Sequence, residues 1–233
     1  MEPKTCVIAG ANSEIAIAIA KKFISEYRLV LCWHQEHSRV DELLGLDAVS
    51  SRQVDLRREE QVDNLMKELF QSYQSIDLLI NCVGKNSFIP DVEIAEDVWD
   101  DVISTNLKPA YFLCKYYWKY CDRQSPGCII HLSSTAGLRP FPSSPHYITA
   151  KAGLIALSGY YAKLMAPCIR VNTIAPGFVQ TERHATPDYD PIRAQIPLRR
   201  MAAPSEIAET AAYIANCQYL TAQTIVIDGG LIG

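Results

Sequence analysis

Short apolar runs rich in β-branched residues alternate along the chain with longer segments in which apolar positions recur at helical spacing. Apolar runs of this length, bounded by turn residues, are typical of buried β-strands. The predicted strands are TCVIAG (5–10), RLVLCW (28–33), DLLINCV (77–83), GCIIHLS (127–133), IRVNTIA (169–175) and QTIVID (223–228), with SRQVD (51–55) as a weaker edge strand. The predicted helices are 13–26, 59–73, 94–120, 147–165 and 204–217.

Strands that alternate with helices indicate a parallel sheet covered by helices on both faces. Because crossovers between parallel strands are right-handed, the pattern predicts an α/β fold with a Rossmann-like, doubly wound sheet of about seven strands. No linker, repeat or low-complexity tract interrupts the sequence. We therefore expect one domain over residues 1–233.

Composition and charge exclude several classes of function. Of the 233 residues 48% are hydrophobic and 21% are charged, and the formal net charge is −4. This charge offers no attraction to nucleic acid or to an anionic membrane, and no apolar run approaches the ~20 residues of a membrane span. The eight cysteines form no CxxC pair. We therefore expect reduced thiols, a cytoplasmic protein, and neither a nucleic-acid, a membrane nor a metal partner.

Ligands of doubly wound sheets bind beyond the carboxyl ends of the strands, so the residues that follow each strand are candidates for the site. After the first strand, Gly10 permits a tight turn, and the next helix would direct its N-terminal amides at a phosphate. Glu14 and Ala16 stand where a glycine-rich loop would have further glycines. An unpaired carboxylate there would repel a pyrophosphate, so we expect the Glu14 side chain to turn away to solvent.

The loop after the second strand bears on the choice of cofactor. Trp33 takes the place of the acid that binds a free ribose 2′-hydroxyl, and His34 and Arg39 follow it. A basic loop without that acid favours a 2′-phosphate and hence NADP(H). Glu36 in this loop and Glu14 oppose this preference, so NAD(H) stays possible, and His34 could equally be an exposed polar loop residue.

Small or hydroxylated residues follow three later strands, in NCVG (81–84), LSSTAG (132–137) and APGFVQT (175–181). The carboxyl ends of parallel strands meet at one edge of a sheet, so these segments are expected to converge. Tyr147 and Lys151, four positions apart, share one face of the predicted fifth helix. The spacing alone does not distinguish an acid and its tuning cation from an ordinary amphipathic helix.

Taken together, these motifs resemble the short-chain dehydrogenase/reductase family, and within it the 3-oxoacyl-acyl-carrier-protein reductases. The resemblance covers nearly the whole chain. It is carried by Asp55, Asn81 to Gly84, Asn106, Ser134 thirteen residues before Tyr147, the Tyr147-x-x-x-Lys151 pair, Pro176-Gly177 with Thr181, IPLRRMAAPSEIAE (196–209) and TAQTIVIDGG (221–230).

The resemblance implies an NAD(P)-dependent oxidoreductase with Asn106, Ser134, Tyr147 and Lys151 as catalytic residues. Tyr147 would be the general acid. A free phenol has a pKa near ~10, and the positive charge of Lys151 would favour the phenolate. Ser134 would donate to the carbonyl oxygen, and Asn106 would anchor a water that carries protons to Lys151. In the alternative, all four residues are structural.

The resemblance also implies the cofactor and substrate residues. The cofactor residues are Gly10, Asn12, Ser13, Ile15, His34, Arg39, Asp55, Leu56, Asn81, Val83, Gly84, Tyr147, Lys151, Pro176, Gly177, Val179 and Thr181. The substrate pocket would include Phe141, His146 and Phe178, under a lid at about 182–200. On this division residues 1–135 bind the cofactor and residues 136–233 carry the catalytic and substrate part.

Two expectations concern the long fourth helix. Pro109 cannot donate a hydrogen bond to the carbonyl of Thr105, so we expect the helix to be loosened next to Asn106. Aromatic residues occupy more of its circumference than one core face needs, which is consistent with a homo-oligomer, a tetramer or dimer. A thickly covered core helix is the rival explanation.

Three functions stay open. The first is an NAD(P)H-dependent reductase that acts on a 3-oxoacyl thioester, free or bound to a carrier protein, or on a specialised-metabolism ketone. The second is an NAD-dependent dehydrogenase of a secondary alcohol, and the third is a catalytically weak nucleotide-binding or scaffolding protein. Enoyl reduction is disfavoured, since related enoyl reductases separate the tyrosine and lysine by six residues rather than three.

Overall fold

The predicted alternation of strands and helices produces one parallel sheet of seven strands, in the order β3-β2-β1-β4-β5-β6-β7. The computed structural model describes residues 3–35, 38–87, 89–140, 144–184 and 186–233. The strands are β1 Lys4–Ala9, β2 Tyr27–Trp33, β3 Val49–Gln53, β4 Leu78–Asn81, β5 Gly127–Leu132, β6 Ile169–Pro176 and β7 Thr224–Ile227. The doubly wound α/β prediction is confirmed, and the weak segment forms an edge strand, two residues earlier than predicted.

Helices connect the strands. The α-helices are α1 Glu14–Phe23, α2 Ser38–Asp41, α3 Glu59–Ser72, α4 Glu96–Tyr120, α5 Pro145–Met165, α6 Asp190–Gln195 and α7 Pro204–Asn216. The 3₁₀ turns are Asp91–Glu93, Thr135–Gly137, Glu182–His184 and Pro187–Tyr189. All five predicted helices are present. No helix in the described ranges is long and apolar enough to cross a bilayer.

The core lies in two layers, one on each face of the sheet. Because side chains alternate along a strand, Cys6 and Ile8 of β1 face one layer and Val7 and Ala9 face the other. Helices α1 and α7 pack together on the first face, and α3, α4 and α5 on the second. Strands buried on both faces explain why their sequences are continuously apolar.

Helix α4 corrects one expectation. It runs from Glu96 to Tyr120 as one continuous α-helix with Pro109 inside it, so the helix is not broken next to Asn106. The Asn106 amide instead donates to the carbonyl oxygen of Val102, one turn earlier, at 2.8 Å. The missing proline donor is thus tolerated without a local change of secondary structure.

Candidate active site

The Tyr147–Lys151 pair lies in the first two turns of α5. The helix begins at Pro145, which lacks the N–H that a first-turn residue would leave unpaired anyway. Lys151 is only 3% exposed, and its amine donates to the carbonyl oxygen of Leu132 at 2.9 Å. The amine lies 5.6 Å from the centroid of the half-buried Tyr147 ring. The structure therefore brings the cation close to the phenol.

Burial determines the protonation of Lys151. Loss of solvation lowers the pKa of the Lys151 amine to about 8, and the neighbouring Cys82 opposes the shift weakly. One of the three ammonium hydrogens is used by Leu132. The other two can serve a ribose hydroxyl and a water, which is what the predicted role of Lys151 requires.

Ser134 follows β5 and caps the turn Thr135–Gly137. Its Oγ accepts the amide of Ala136 at 3.2 Å, which leaves the hydroxyl hydrogen available as a donor. The turn packs directly on α5, because a Cβ on Gly137 would come within 2.7 Å of the Lys151 carbonyl carbon. The neighbouring Ser133 hydroxyl donates to the Lys151 carbonyl oxygen at 2.9 Å. These contacts hold the end of β5 against the turn of α5 that carries the amine.

Asn106 and Gly84 complete the surroundings of the amine. Asn106 is fully buried, its amide donates to the Lys85 carbonyl at 2.7 Å, and its Oδ1 accepts the Lys85 amide at 3.3 Å. Asn106 Oδ1 and Lys151 Nζ each lie 3.2 Å from the point that a Cβ on Gly84 would occupy. Only a glycine leaves this space open, so the two polar groups share one small volume.

Sequence reasoning missed a buried polar network behind the site. His131 of β5 is fully buried, its Nδ1 lies 3.3 Å from Asn81 Nδ2, and its Nε2 lies 3.3 Å from Cys114 Sγ. Asn81 Oδ1 accepts the Val83 amide at 3.1 Å. Desolvation, together with the charge of Lys151, lowers the pKa of His131 to about 3. Neutral His131 thus fixes Asn81, and through it the loop expected to contact the cofactor.

A cleft opens along the carboxyl edge of the sheet, between the ends of β1, β2 and β4. Its lining includes Gly10, Trp33, His34, Asp55, Leu56, Arg57, Val83, Lys85 and Thr105. Gly10 has φ +75°, and a Cβ there would lie 2.8 Å from the Val83 nitrogen, so the turn needs a glycine for two reasons. This is the edge at which a doubly wound sheet binds a nucleotide, and the tight turn leaves room for one.

Asp55 is held by a partner that the sequence did not reveal. Arg57 Nε and Nη2 donate to its two carboxylate oxygens at 2.9 Å each, and His34 Nε2 lies 3.7 Å from Asp55 Oδ2. The Arg57 hydrogen bonds keep the pKa of Asp55 below its usual range. Arg57 also reaches Asp101, which belongs to α4. Asp55 therefore carries a negative charge in the cleft. The sequence signal for this ion pair was a basic residue, Arg57, only two positions away.

The first turn of α1 has a regular N-terminus. Ser13 is its N-cap, and the Ser13 Oγ accepts the Ala16 amide at 3.1 Å. Ile15 packs partly against the core, and Asn12 Oδ1 accepts the Arg39 amide at 3.0 Å. The predicted cofactor residues of this loop therefore lie together with Arg39 at one end of the cleft.

Glu14 contradicts its prediction. Its carboxylate does not turn to solvent: both oxygens accept the Glu182 amide, at 3.1 and 3.3 Å, and Oε1 lies 3.7 Å from Arg39 Nη2. The side chain is 27% exposed. The expectation failed because the residues that satisfy this carboxylate come from two distant segments of the chain.

The segment after β6 contributes the other end of the predicted cofactor site. Pro176 ends β6, the Gly177 amide donates to Ile227, and buried Val179 bridges to Ala202. The Thr181 hydroxyl lies 3.1 Å from His184 Nδ1. The Phe178 ring is edge-on to His184. In the predicted lid, 182–200, two 3₁₀ turns precede helix α6.

The three predicted substrate residues have different surroundings. Phe141 lies outside the described residues, and Phe178 is half-buried beside His184. His146 is fully buried and stacks on Trp99, with a centroid separation of 6.2 Å, and neither ring nitrogen has a hydrogen-bond partner. Their role in substrate binding stays a prediction.

The described residues were also compared with the requirements of a metal site and of a reactive thiol. Among the described residues, no three His, Cys, Asp or Glu side chains are grouped so that they could hold a metal ion. All eight cysteines are free thiols. Burial raises the pKa of Cys32 and of Cys82 to about 12, so these thiols are protonated at neutral pH.

Comparisons with known proteins show which family the chain belongs to. Residues 9–232 match the family model described as enoyl-(acyl carrier protein) reductase. The chain is 32% identical to a 3-oxoacyl-[acyl-carrier-protein] reductase FabG of Thermotoga maritima, over 100% of this chain and 99% of the relative. It is also 32% identical to the protein of that name from Chlamydia pneumoniae, over 98% and 96%.

Solved structures show the same fold. ElxO with NADP bound superposes with a TM-score of 0.92 at 25% identity, over 99% of both chains. The ligand-free aldohexose dehydrogenase of Thermoplasma acidophilum superposes with a TM-score of 0.85 at 24% identity, over 98% of this chain and 94% of that one.

The parallel sheet, the nucleotide cleft and the buried Lys151 beside Tyr147 define an NAD(P)-dependent oxidoreductase. The chain belongs to the short-chain dehydrogenase/reductase family and resembles its 3-oxoacyl-acyl-carrier-protein reductases.

Proposed function

We propose that this protein reduces the ketone of a 3-oxoacyl thioester to a secondary alcohol, with NADPH as the preferred cofactor. The observation that carries the proposal is the buried Lys151 amine, held 2.9 Å from the Leu132 carbonyl and close to the Tyr147 ring. The relatives named 3-oxoacyl-[acyl-carrier-protein] reductase support the choice of substrate.

The reaction divides between the cofactor and the side chains. When bound, the reduced nicotinamide supplies a hydride to the carbonyl carbon. Tyr147 gives its phenolic proton to the carbonyl oxygen, so the C=O bond becomes a C–OH group and a phenolate remains. Ser134 donates a hydrogen bond to the same oxygen as negative charge develops on it.

The phenolate must be stabilised and then reprotonated. The positive charge of the Lys151 ammonium stabilises the phenolate, because an opposite charge nearby favours the ionised phenol. Protons return by way of the Lys151 amine, from a water in the space beside Gly84 and Asn106. The close approach of both polar groups to Gly84 supports this route.

The preference for NADP(H) is supported by the basic residues at the end of β2. His34 lines the cleft, the Arg39 amide donates to Asn12 in the turn that follows Gly10, and the acid that would bind a free 2′-hydroxyl is replaced by Trp33. ElxO, which has the same fold, is described with NADP bound. Both residues have a carboxylate neighbour, and Arg39 is the stronger candidate for a 2′-phosphate because a guanidinium is always charged and can bind a phosphate through two N–H groups.

We also propose a homo-oligomer that buries the exposed faces of α4 and α5. Tyr111 of α4 and Tyr160 and Leu164 of α5 are large exposed hydrophobic residues on two helices that pack against each other. Other aromatic residues of α4 are used within the chain: Tyr116 donates to Glu59, and Tyr120 donates to Asp63. The interface explanation therefore applies to part of the aromatic surface only.

A turnover assay tests the function. NADPH and NADH are each supplied with acetoacetyl thioesters of coenzyme A and of an acyl carrier protein, with simple ketones, and with a crotonyl thioester. Faster oxidation of NADPH with the 3-oxo thioesters than with the other substrates supports the proposal. Reduction of the crotonyl thioester alone would indicate an enoyl reductase, and no turnover with any pair would contradict catalysis.

A further inference from the structure

One guanidinium at the edge of the cleft is shared by two carboxylates. Arg39 Nη2 forms an ion pair with Glu182 Oε2 and lies 3.7 Å from Glu14 Oε1. Glu14 also accepts the Glu182 amide, and Asn12 accepts the Arg39 amide at 3.0 Å. We call Asn12, Glu14, Arg39 and Glu182 the Arg39 cluster.

The Arg39 cluster joins three segments of the site. Asn12 and Glu14 belong to the turn before α1 and to its first residue, and Arg39 belongs to the short helix after β2. In a doubly wound sheet the ribose of a bound dinucleotide lies between these two segments. Glu182 begins the turn after β6, at the other end of the site.

The charges of the cluster oppose its expected ligand. One guanidinium facing two carboxylates gives a formal charge of −1 where a 2′-phosphate, itself doubly negative, would bind. A phosphate bound by the other N–H groups of Arg39 would still lie close to both carboxylates, so their negative charges oppose its binding unless one of them moves away. Glu182 is the partner more easily displaced, because its side chain is 79% exposed whereas that of Glu14 is 27% exposed.

We propose that Glu14 and Glu182 are specificity-determining residues for the cofactor, because they compete with a 2′-phosphate for Arg39. A dinucleotide with the phosphate releases Glu182 and loosens the turn Glu182–His184, whereas one without it leaves the Arg39–Glu182 pair intact. The inference rests on the proposed use of NADP(H). It adds that two carboxylates of the protein itself compete with the 2′-phosphate.

The turn that would be released is connected to the nicotinamide end of the site. His184 Nδ1 donates to the Val179 carbonyl at 2.8 Å and lies 3.1 Å from the Thr181 hydroxyl. Arg193 Nη2 donates to the His184 carbonyl at 2.7 Å. Arg39 therefore links the phosphate end of the cleft to the residues predicted to hold the nicotinamide.

Calorimetric titration with NADP⁺ and NAD⁺, which differ only in the 2′-phosphate, tests the competition. Glu14→Gln and Glu182→Gln keep the side-chain size and remove the charge. Because exposed ion pairs are weak, we expect each to tighten NADP⁺ binding by about two- to fivefold more than it tightens NAD⁺ binding. The matched control is Glu209→Gln, which removes a carboxylate of α7 that is paired with Lys22 of α1. It should change the binding of neither cofactor.

Hydrogen exchange of the peptide spanning 179–184 gives a second readout. Exchange should be faster with saturating NADP⁺ than with saturating NAD⁺, and Glu182→Gln should abolish the difference. If both glutamine variants behave like Glu209→Gln, or if they alter NAD⁺ and NADP⁺ binding equally, the competition is refuted. That outcome leaves the proposed function standing, because ketone reduction is measured separately by turnover.

Discussion

The amine of Lys151 donates to the carbonyl oxygen of Leu132, so the first turns of α5 are joined to the last residue of β5 through a buried charge. Leu132 stands two residues before Ser134, and Lys151 stands one helical turn after Tyr147. This hydrogen bond, together with that of the Ser133 hydroxyl to the Lys151 carbonyl, therefore helps to hold Ser134, which follows β5, near the acid on α5.

Removal of the phenol tests the general acid. Tyr147→Phe should lower kcat by about 10²- to 10⁴-fold, because the proton donor is lost while the aromatic ring is kept. The dissociation constant for NADPH, measured by fluorescence, should change little. Tyr213→Phe removes the hydroxyl of an exposed tyrosine on α7 and should leave kcat unchanged. An unchanged kcat in Tyr147→Phe would eliminate it as the acid.

A methyl group at Gly84 tests the space beside the amine. The Cβ of Gly84→Ala would lie 3.2 Å from both Asn106 Oδ1 and Lys151 Nζ, so one of them must move. We expect kcat to fall at least about tenfold and the free energy of unfolding to fall by about 1 kcal/mol. Gly159→Ala, in α5 with no atom within 4 Å of the new Cβ, should keep full activity and gain up to about 1 kcal/mol. Equal activity of the two variants would contradict the close-approach argument.

The lowered pKa of Lys151 predicts a pH dependence of stability. Between about 8 and 10.5 the unfolded chain binds this proton and the folded chain does not. The free energy of unfolding contributed by this group therefore rises with pH over that window, by on the order of 3 kcal/mol. Urea titrations of Lys151→Met at pH 7, 8, 9 and 10 should lack this contribution. The exposed Lys67→Met should follow the wild type, and identical profiles for both variants would show that Lys151 is not titrating as stated.

His131 predicts an effect of the same sign at acid pH, where the free energy of unfolding again rises with pH. Its pKa of about 3 in the folded protein lies below the 6.5 of an exposed histidine, so its contribution to stability is complete above pH 6.5 and is lost toward pH 3. Between pH 7 and pH 5 the wild type should lose about 2 kcal/mol through this group, and His131→Asn should not. Urea midpoints at both pH values measure the difference. A loss of the same size in His131→Asn would assign the acid sensitivity to other groups.

The proposed oligomer is tested at its exposed aromatic residues. Tyr160→Glu and Tyr111→Glu should shift the mass measured by light scattering at micromolar concentration toward the monomer, because a buried unpaired carboxylate is costly in an interface. Tyr219→Glu alters a fully exposed tyrosine between α7 and β7 and should keep the wild-type mass. A wild-type protein that is monomeric at that concentration would exclude the interface.

The alternation of strands and helices, and the residues that follow each strand, could be predicted from the amino-acid sequence. This was possible because the apolar period within a segment and the turn residues at its end are local properties. Asn81, Ser134 and Pro176 could therefore be assigned to one edge of the sheet before their contacts were known. The spacing from Tyr147 to Lys151 is likewise a local property of one helix.

The contacts of the polar side chains could be identified only in the folded structure. Glu14 was expected to face solvent and instead accepts an amide 168 positions later in the chain. His131 and Gly84 acquired their importance from neighbours on other strands and helices, and Arg57 joins the nearby Asp55 to Asp101 of α4. Helix α4 is also continuous through Pro109, although the sequence predicted a helix loosened next to Asn106. Hydrogen bonds, burial and the resulting pKa values depend on packing between distant segments, and no local pattern encodes them.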